Sequence, residues 1–454
     1  MPMKKIVSAF SVLLLAGNFT IGQTSLTLDS ALKYALENNE TLQQARLDIE
    51  NSRYKVNETR ALALPQVNIN SSVTAYPILQ KLVLPAQILG GASGEFISIE
   101  MGQTWNAMSQ VQFSQQLFNK QVFEGVKASK SSSEYYKLLE QYSRENVIQQ
   151  VAVIYYQVII SRNKIKVNKA NMQRILQLEA LMQNQYKEGL AKKVDVDRVK
   201  VSKSNIESSG LQLEYMAVQQ ENLLKYYLGM PVSDSIIILD DTLAKKSEIS
   251  APLSLDSLDT NQLTSIQLLR KKEDLLKIQQ KAYKAEYFPS LALNAVYQYN
   301  TQNSDFNLYS KNALNYDVSY IGLTLRIPVF DGNARRARIK QADISLMKIH
   351  EEQKGKTNAL IMSNKNAQIQ LRNSLKVIET QQHNKVLAEE VFNTTQANYK
   401  NGLATLTELL NAETELVSAQ NSYNEALLNF KVAEIEALKS QGKIETLITR
   451  KNNF

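Results

Sequence analysis

The chain has 454 residues, with only 15 glycines, 8 prolines and no cysteine. The shortage of helix-breaking residues favours long helices, and the missing cysteine excludes disulfides, thiolate metal sites and a cysteine nucleophile. The formal net charge of +8 is small for this length and is dispersed along the chain. Such dispersion argues against the clustered basic surface that binds nucleic acid, so we expect no nucleic-acid partner.

The N-terminus has the pattern of a secretory signal peptide. Lys4 and Lys5 precede an apolar run over residues 6–16, and Thr20 and Gly22 are small residues at plausible cleavage positions. The pattern predicts removal of residues 1–22, although an ordinary buried first helix would also fit it. No cysteine follows, so we expect no lipid anchor. No later run of about 18 apolar residues predicts a membrane-spanning helix.

The rest of the chain consists of two similar halves. Three phrases recur in the same order at offsets of about 210 to 225, which predicts an internal duplication. The phrases are LPQVNIN (64–70) and FPSLALN (288–294), QLFNKQVFEGVKASK (from Gln116) and IPVFDGNARRARIKQ (from Ile327), and Tyr-Lys-x-Gly-Leu-Ala (from Tyr186 and from Tyr399). The predicted boundaries are a first repeat over 23–229, a linker over 230–262, a second repeat over 263–440 and a polar tail over 441–454, either packed beside the linker or disordered.

Each half is predicted to begin with a helix that ends before a proline, Pro65 or Pro289. Period-2 alternation then predicts two strands per half, with aliphatic and aromatic residues on one face and polar residues on the other. Such strands suit a barrel with lipid outside and water inside, but a soluble sheet packed on a core alternates identically. Four strands leave edges unpaired, so a barrel would require several chains. Residues 79–105 are expected to form a variable surface loop.

A very long helix should follow each hairpin. Residues 119–187 contain no proline and one glycine, and a continuous helix of that length would extend roughly 100 Å. A heptad seam is predicted near the C-terminus. It fits a solvated coiled-coil rod and the wall of a helical tube equally well. That seam combines two heptad series, Leu409, Leu416, Tyr423, Phe430 and Ala437, and Ala412, Ala419, Ala426 and Ala433.

The sequence offers little for catalysis. His350 and His383 lie on separate predicted helices without a metal-ligand partner at helical spacing. Asp195 and Asp197 would point apart at positions i and i+2 of a helix. No nucleophile elbow, phosphate loop or zinc-protease motif occurs in the sequence. We therefore expect no enzymatic activity, no cofactor and no bound metal.

The order of elements, which occurs once in each half, resembles the TolC-like outer membrane efflux protein family over essentially the whole mature chain. The resemblance is carried by the repeated glycine phrases and by two strand-to-helix junctions, Leu117-Phe118-Asn119 and Val329-Phe330-Asp331. The resemblance implies a mixed α and β membrane protein, a homotrimer with four strands per chain in one outer-membrane β-barrel. A long α-helical coiled-coil tunnel would continue the barrel into the periplasm. The implied function is a passive exit duct for drugs, toxins or other substrates in tripartite efflux or type I secretion.

The resemblance also implies partners and site residues. The partners are a periplasmic membrane-fusion adaptor, an inner-membrane pump of the RND or ABC type, and outer-membrane lipid. Position 404 is alanine where the family's closing network has an arginine. A contact between Tyr399 and Asp195 is still compatible with the sequence. The implied adaptor-contact tips are Gly189, Leu190, Ala191, Gly402, Leu403 and Ala404. The implied periplasmic entrance and gating residues are Glu408, Asn411, Asp195, Arg198 and Tyr399.

Two further interpretations bear on the repeated phrases. Gly189 and Gly402 would supply the C-terminal cap of a helix, with the apolar Leu-Ala fixing the turn. The alternative role of the tip residues is therefore to cap helical turns at the protein surface without contacting a partner. The alternative function is accordingly a non-channel periplasmic or surface coiled-coil structural protein.

Overall fold

The computed structural model describes residues 24–239 and 258–449, so the predicted signal peptide lies outside the described residues. The helices in these ranges are α1 (Leu28–Asn38), α2 (Glu40–Ala61), α3 (Lys120–Lys187), α4 (Lys193–Leu228), α5 (Thr264–Ala285), α6 (Ala334–Lys400), α7 (Leu406–Ser440) and α8 (Thr446–Thr449). The strands are β1 (Thr24–Leu26), β2 (Gln66–Ala75), β3 (Gln80–Pro85), β4 (Phe96–Met101), β5 (Trp105–Phe118), β6 (Ile236–Ile238), β7 (Ser290–Asn303) and β8 (Leu314–Arg326). The element order of helix, hairpin, long helix and returning helix is the same in both halves, while the repeat boundaries stay a prediction.

The chain forms two compact units, and each draws on both halves of the sequence. Within the described residues, the first unit contains 24–43, 143–239, 258 and 361–449. The second unit contains Gln44–Tyr142 and Asp259–Leu360. None of the described helices contains a stretch that is both long and apolar enough to cross a bilayer.

The second unit contains a four-stranded antiparallel sheet in the order β2-β5-β7-β8, so the two predicted hairpins join through β5 and β7. Its register confirms the predicted alternation between an apolar and a polar face. One row across all four strands is apolar, namely Val67, Phe113, Ala295 and Ile321. The neighbouring row on the opposite face is Gln66, Ser114, Asn294 and Gly322.

A β-bulge changes the faces at the end of β5. The alternation places Leu117 on the apolar face, but the register shifts between Gln116 and Phe118, so that Phe118 pairs with Leu291 instead. A bulge inserts one unpaired residue and thereby exchanges the two faces beyond it. Leu117 is the residue left without a partner, so the register does not test its predicted face. The bulge could not be predicted, because it depends on pairing with β7 and not on the local pattern.

The segment expected to be a surface loop is an antiparallel ribbon. β3 and β4 pair, with Leu82 opposite Ile99, and a short 3-10 turn closes the ribbon between them. Lys81 and Glu100 form an ion pair of 3.4 Å on its other face. The loop prediction missed these strands because consecutive apolar residues, as at positions 82–84, conceal the two-residue period.

The largest core of the first unit surrounds a small parallel pairing of β1 with β6. The fully buried Tyr155 of α3 donates its hydroxyl to the carbonyl oxygens of Leu26 (3.2 Å) and Leu239 (3.0 Å), which ties both segments to the helix. Ile444 and Leu447 are buried in the same core. Of the two alternatives for the tail, its described part is therefore packed.

The predicted heptad seam on α7 is confirmed as a buried stripe. All its members are buried except Tyr423 and Ala419, which are partly exposed. Phe430 and Ala433 pack against Ala367 and Leu371 of α6. Small alanine side chains allow helices to approach closely, as the pattern indicates.

Candidate functional site at the helical tips

The two Tyr-Lys-x-Gly-Leu-Ala phrases form the same turn between long helices. Gly189 and Gly402 adopt left-handed φ angles of +75° and +76°. The backbone N–H of Leu190 donates to the carbonyl of Gln185 at 2.7 Å, and the equivalent bond of the second turn measures 2.8 Å. This six-to-one bond beside a left-handed glycine is the Schellman motif. The predicted capping role of both glycines is confirmed.

The leucines of the two turns point into solvent. Leu190 is 75 % exposed and Leu403 is 78 % exposed, while Ala191 and Ala404 are partly exposed. An apolar contact back to the helix often accompanies the motif, but neither leucine provides it. The prediction that Leu-Ala fixes the turn is therefore wrong for the leucines, because backbone hydrogen bonds at the glycines hold it. Each turn presents one exposed leucine from a well-defined backbone.

The helices that follow the turns begin differently. α4 starts after Lys192 without a side-chain cap. α7 starts after Thr405, whose hydroxyl accepts the N–H of Glu408 at 3.2 Å, while Glu408 Oε2 accepts the N–H of Thr405 at 2.6 Å. This reciprocal pair is a capping box. The hydrogen bonds from Thr405 lower the pKa of the Glu408 carboxyl, so this exposed acid is charged and also stabilises the start of α7.

Tyr399 lies between the second turn and the core behind it. Its hydroxyl donates to Met182 Sδ at 3.4 Å, not to Asp195. Burial, and then the negative charge of nearby Asp195, raise the pKa of the Tyr399 hydroxyl. The structure thus brings the two predicted residues close together without a hydrogen bond between them.

Arg198 joins the two helical hairpins at the tips. Its Nη1 donates to Thr407 Oγ1 at 3.0 Å, which connects α4 to the first turn of α7. Asn411 is exposed one turn further along α7 from Thr407. The resemblance placed Arg198 among the implied entrance and gating residues but did not indicate its partner Thr407.

An apolar core lies directly behind the tips and includes residues of four helices. Met182 of α3, Val199 of α4, Phe392 of α6 and Leu409 of α7 are all buried in it. Packing of this kind fixes the positions of both hairpins relative to each other within the first unit.

A buried ion pair lies at the edge of this core. Arg174 Nε of α3 is 3.0 Å from Glu413 Oε1 of α7, and the Glu413 side chain is only 7 % exposed. Burial raises the pKa of the Glu413 carboxyl, and the guanidinium of Arg174 opposes that rise. Sequence reasoning missed the pair. The signal in the sequence that could have indicated the pair is Glu413, a charged residue directly after the seam position Ala412.

The comparisons with known proteins identify the family. The family model described as outer membrane efflux protein matches residues 31–230 and 264–442. This chain belongs to the outer membrane efflux protein family. The recognition of a TolC-like protein from the repeated phrases is thereby confirmed.

Relatives of this efflux-family chain are similar over nearly their whole length. Outer membrane protein TolC of Vibrio cholerae is 18 % identical over 448 residues, which cover 97 % of this chain and 96 % of that protein. TolC of Escherichia coli is 19 % identical over 451 residues, which cover 97 % and 87 %. Both alignments therefore include both halves of this chain.

Solved structures share the fold. VceC of Vibrio cholerae matches with a TM-score of 0.68 at 16 % identity, covering 91 % of this chain and 96 % of VceC. The CmeC outer membrane channel of Campylobacter jejuni matches with a TM-score of 0.71 at 14 % identity, covering 92 % and 85 %. The mixed fold of long helices and a four-stranded sheet is therefore that of this family's channels.

The efflux-family chain shows no site for a metal among the residues that the structure describes. His350 contacts a carboxylate, since its Nε2 is 3.1 Å from Glu273 Oε1 of α5, but the imidazole is exposed. One carboxylate and one imidazole at a surface are too few ligands for a structural metal centre.

Proposed function

We propose that this protein is the outer-membrane channel of an export system and serves as a passive exit duct in tripartite efflux or type I secretion. The apolar face of the four-stranded sheet carries the proposal. Ile69 is 72 % exposed and Ile321 is 80 % exposed on that face, where a soluble sheet would bury them. Lipid is the environment in which such a face is stable.

The sheet edges support assembly into a homotrimer. β2 and β8 each have a neighbour on one side only, and unpaired edges of this length are usually covered. Three copies would pair β8 of one chain with β2 of the next and would close a barrel of twelve strands. Its polar face would line the pore, and the long helices would form a tunnel in the periplasm. Fractionation of cells followed by crosslinking tests this assembly, because a soluble monomer would contradict it.

Glu408 is our candidate for a charged ring at the periplasmic entrance, with Asn411 one turn deeper and Asp195, Arg198 and Tyr399 beside it. A ring of three carboxylates favours cations. Glu408→Gln should therefore reduce the cation preference of single-channel current, measured as the reversal potential in a salt gradient. Glutamine retains the capping box, so the change isolates the charge from the helix cap.

The control for Glu408 is Glu415→Gln, which removes an exposed acid from the same helix. We expect this control to conduct with the selectivity of the unmodified protein. If Glu408→Gln also leaves the reversal potential unchanged, Glu408 does not lie at the constriction.

The exposed tips are our candidates for contact with the periplasmic adaptor that delivers substrate from an inner-membrane pump. Leu190 and Leu403 are the apolar residues that the turns present to solvent. Leu190→Glu combined with Leu403→Glu should abolish export while the trimer persists, because a desolvated charge disrupts an apolar contact. Export assays in cells and trimer bands on gels measure the two effects.

Asn401→Glu provides the matched control for the tips, since it introduces the same charge into the second turn and keeps both leucines. This variant should export normally. Normal export by the leucine double variant would argue against a tip contact.

A further inference from the structure

The apolar side of β8 changes part-way along the strand. In the half that leads into α6, the face that we assign to lipid carries apolar residues, namely Ile321, Leu323 and Leu325. In the other half the same face carries polar residues, namely Asn315, Asp317 and Ser319. The apolar residues of that half lie on the face that we assign to the pore. These residues form the inner patch, which consists of Leu314, Tyr316, Val318 and Tyr320.

The inner patch is not the result of a slip in strand pairing. β7 and β8 pair without interruption from Ser290 and Arg326 to Gln302 and Leu314. The hydroxyl of Tyr316 accepts a hydrogen bond from Gln302 Nε2 at 3.1 Å, so the tyrosine lies on the polar face of β7. Each residue of the inner patch is at least 40 % exposed. Contiguous exposed apolar residues usually mark a contact site, and here that site would lie inside the pore.

The ribbon formed by β3, the 3-10 turn and β4 also has an exposed apolar side. Leu82 pairs with Ile99, and Leu84 pairs with Ile97 on the same side. Leu82, Ile97 and Ile99 are between 37 and 41 % exposed. A two-stranded ribbon is only marginally stable alone in water, so it needs a partner surface. Its strands of six residues are about 20 Å long, and the segment 314–320 of β8 has a similar length.

The proposed trimer brings the ribbon of one chain next to the inner patch of another. β3 follows β2, whose last residue, Ala75, pairs with Trp105 at the same end of the sheet as Leu314. If β8 pairs with β2 of the next chain, these strand ends lie about 4.8 Å apart. Within one chain, β5 and β7 separate β2 from β8. β3 of the neighbouring chain therefore starts closer to the patch than β3 of the same chain.

We propose that the ribbon of each chain folds over the pore side of the neighbouring chain's β8 and buries its apolar side on the inner patch. This inference rests on the proposed trimeric channel. In a three-fold assembly a contact joins two different surfaces, so each chain gives one ribbon and receives another. The other side of the ribbon combines the ion pair of Lys81 and Glu100 with Val83 and Phe96, and it would face the lumen. Three ribbons placed in this way narrow the outer mouth of the duct.

Disulfide crosslinking of the purified mature protein tests the contact, because the chain has no cysteine of its own. Leu82→Cys combined with Val318→Cys should form disulfides between chains under mild oxidation. The monomer band on a denaturing gel should then shift to covalent dimers and trimers. The matched control combines Leu82→Cys with Ser319→Cys, which lies next to Val318 on the opposite face of β8. This control should stay monomeric.

The possible outcomes separate the contact from the proposed assembly. Equal linking by both cysteine pairs, linking only within one chain, or no linking would overturn the proposed contact. Lysine crosslinking of the unmodified protein reports the trimer independently. A trimer without the disulfide between positions 82 and 318 overturns the contact alone, whereas a monomer overturns the proposed assembly and the contact together.

A direct structure decides if the cysteine variants do not assemble. An electron cryomicroscopy map of the unmodified protein should show the ribbon of each chain against Tyr316 and Val318 of its neighbour. A ribbon that projects away from the pore, or an inner patch that is open to water, would contradict the proposal.

Discussion

Arg174→Ala should lower the free energy of unfolding by about 3 kcal/mol, the lower end of the usual cost of leaving a buried charge without its partner. The lower end applies because the Arg174 side chain is 23 % exposed, while that of Glu413 is 7 % exposed. Burial already raises the pKa of Glu413 against the opposing guanidinium. Without Arg174, burial would raise the pKa of Glu413 unopposed. Denaturant unfolding followed by circular dichroism measures the loss.

The pH dependence of this variant has a defined sign. A carboxyl whose pKa is higher in the folded than in the unfolded state favours folding below the unfolded pKa, and that contribution disappears as pH rises through the folded pKa. The loss caused by Arg174→Ala should therefore be greatest at neutral pH and smaller in acid. A loss that grows on acidification would contradict the assigned role of Glu413.

Two controls separate the buried pair from ion pairs in general. Arg174→Met combined with Glu413→Leu removes both charges and should recover most of the lost stability. Lys354→Ala breaks a pair with Glu351 in which both side chains are about 70 % exposed. That loss should stay below about 1 kcal/mol. If Arg174→Ala costs no more than Lys354→Ala, the pair does not join the hairpins.

Val111→Arg should prevent assembly into the outer membrane, whereas Gln112→Arg should be tolerated. Val111 lies in the middle of β5 and pairs with Ile69 and Tyr297 on the apolar face. Gln112 lies on the other face, which we assign to the pore. An arginine on the lipid side of a barrel costs about 2–4 kcal/mol at the bilayer midplane, and a trimer would incur it three times.

The amount of trimer in the outer-membrane fraction measures this difference. The two variants differ by one position in the same strand and introduce the same side chain, so expression and general strand stability are matched. Equal assembly of both variants, or greater damage from Gln112→Arg, would contradict the assignment of the apolar face to lipid.

Local patterns predicted the strands and the tip turns. Alternation assigned Val67 and Ile321 to one face because the two-residue period is set by neighbouring residues. The glycine of each repeated phrase predicted a helix cap for the same reason, since the left-handed conformation of Gly189 is a local requirement. The bulge at Leu117 could not be predicted in this way, because a bulge depends on the partner strand.

Contacts between distant segments could not be predicted in this way. Arg198 and Thr407 are 209 residues apart, and Arg174 and Glu413 are 239 residues apart. Only the packing of four helices brings these side chains together. Glu408 had two possible roles, and the sequence pattern at residues 405–408 was compatible with a capping box as well as with an entrance acid.

Conductance of the purified mature protein in planar lipid bilayers tests the proposed export duct most directly. We expect a stable trimer to insert and to produce uniform, stepwise ion currents through a water-filled pore lined by the polar face of the sheet. A soluble, monomeric product that yields no conductance would contradict the proposed function.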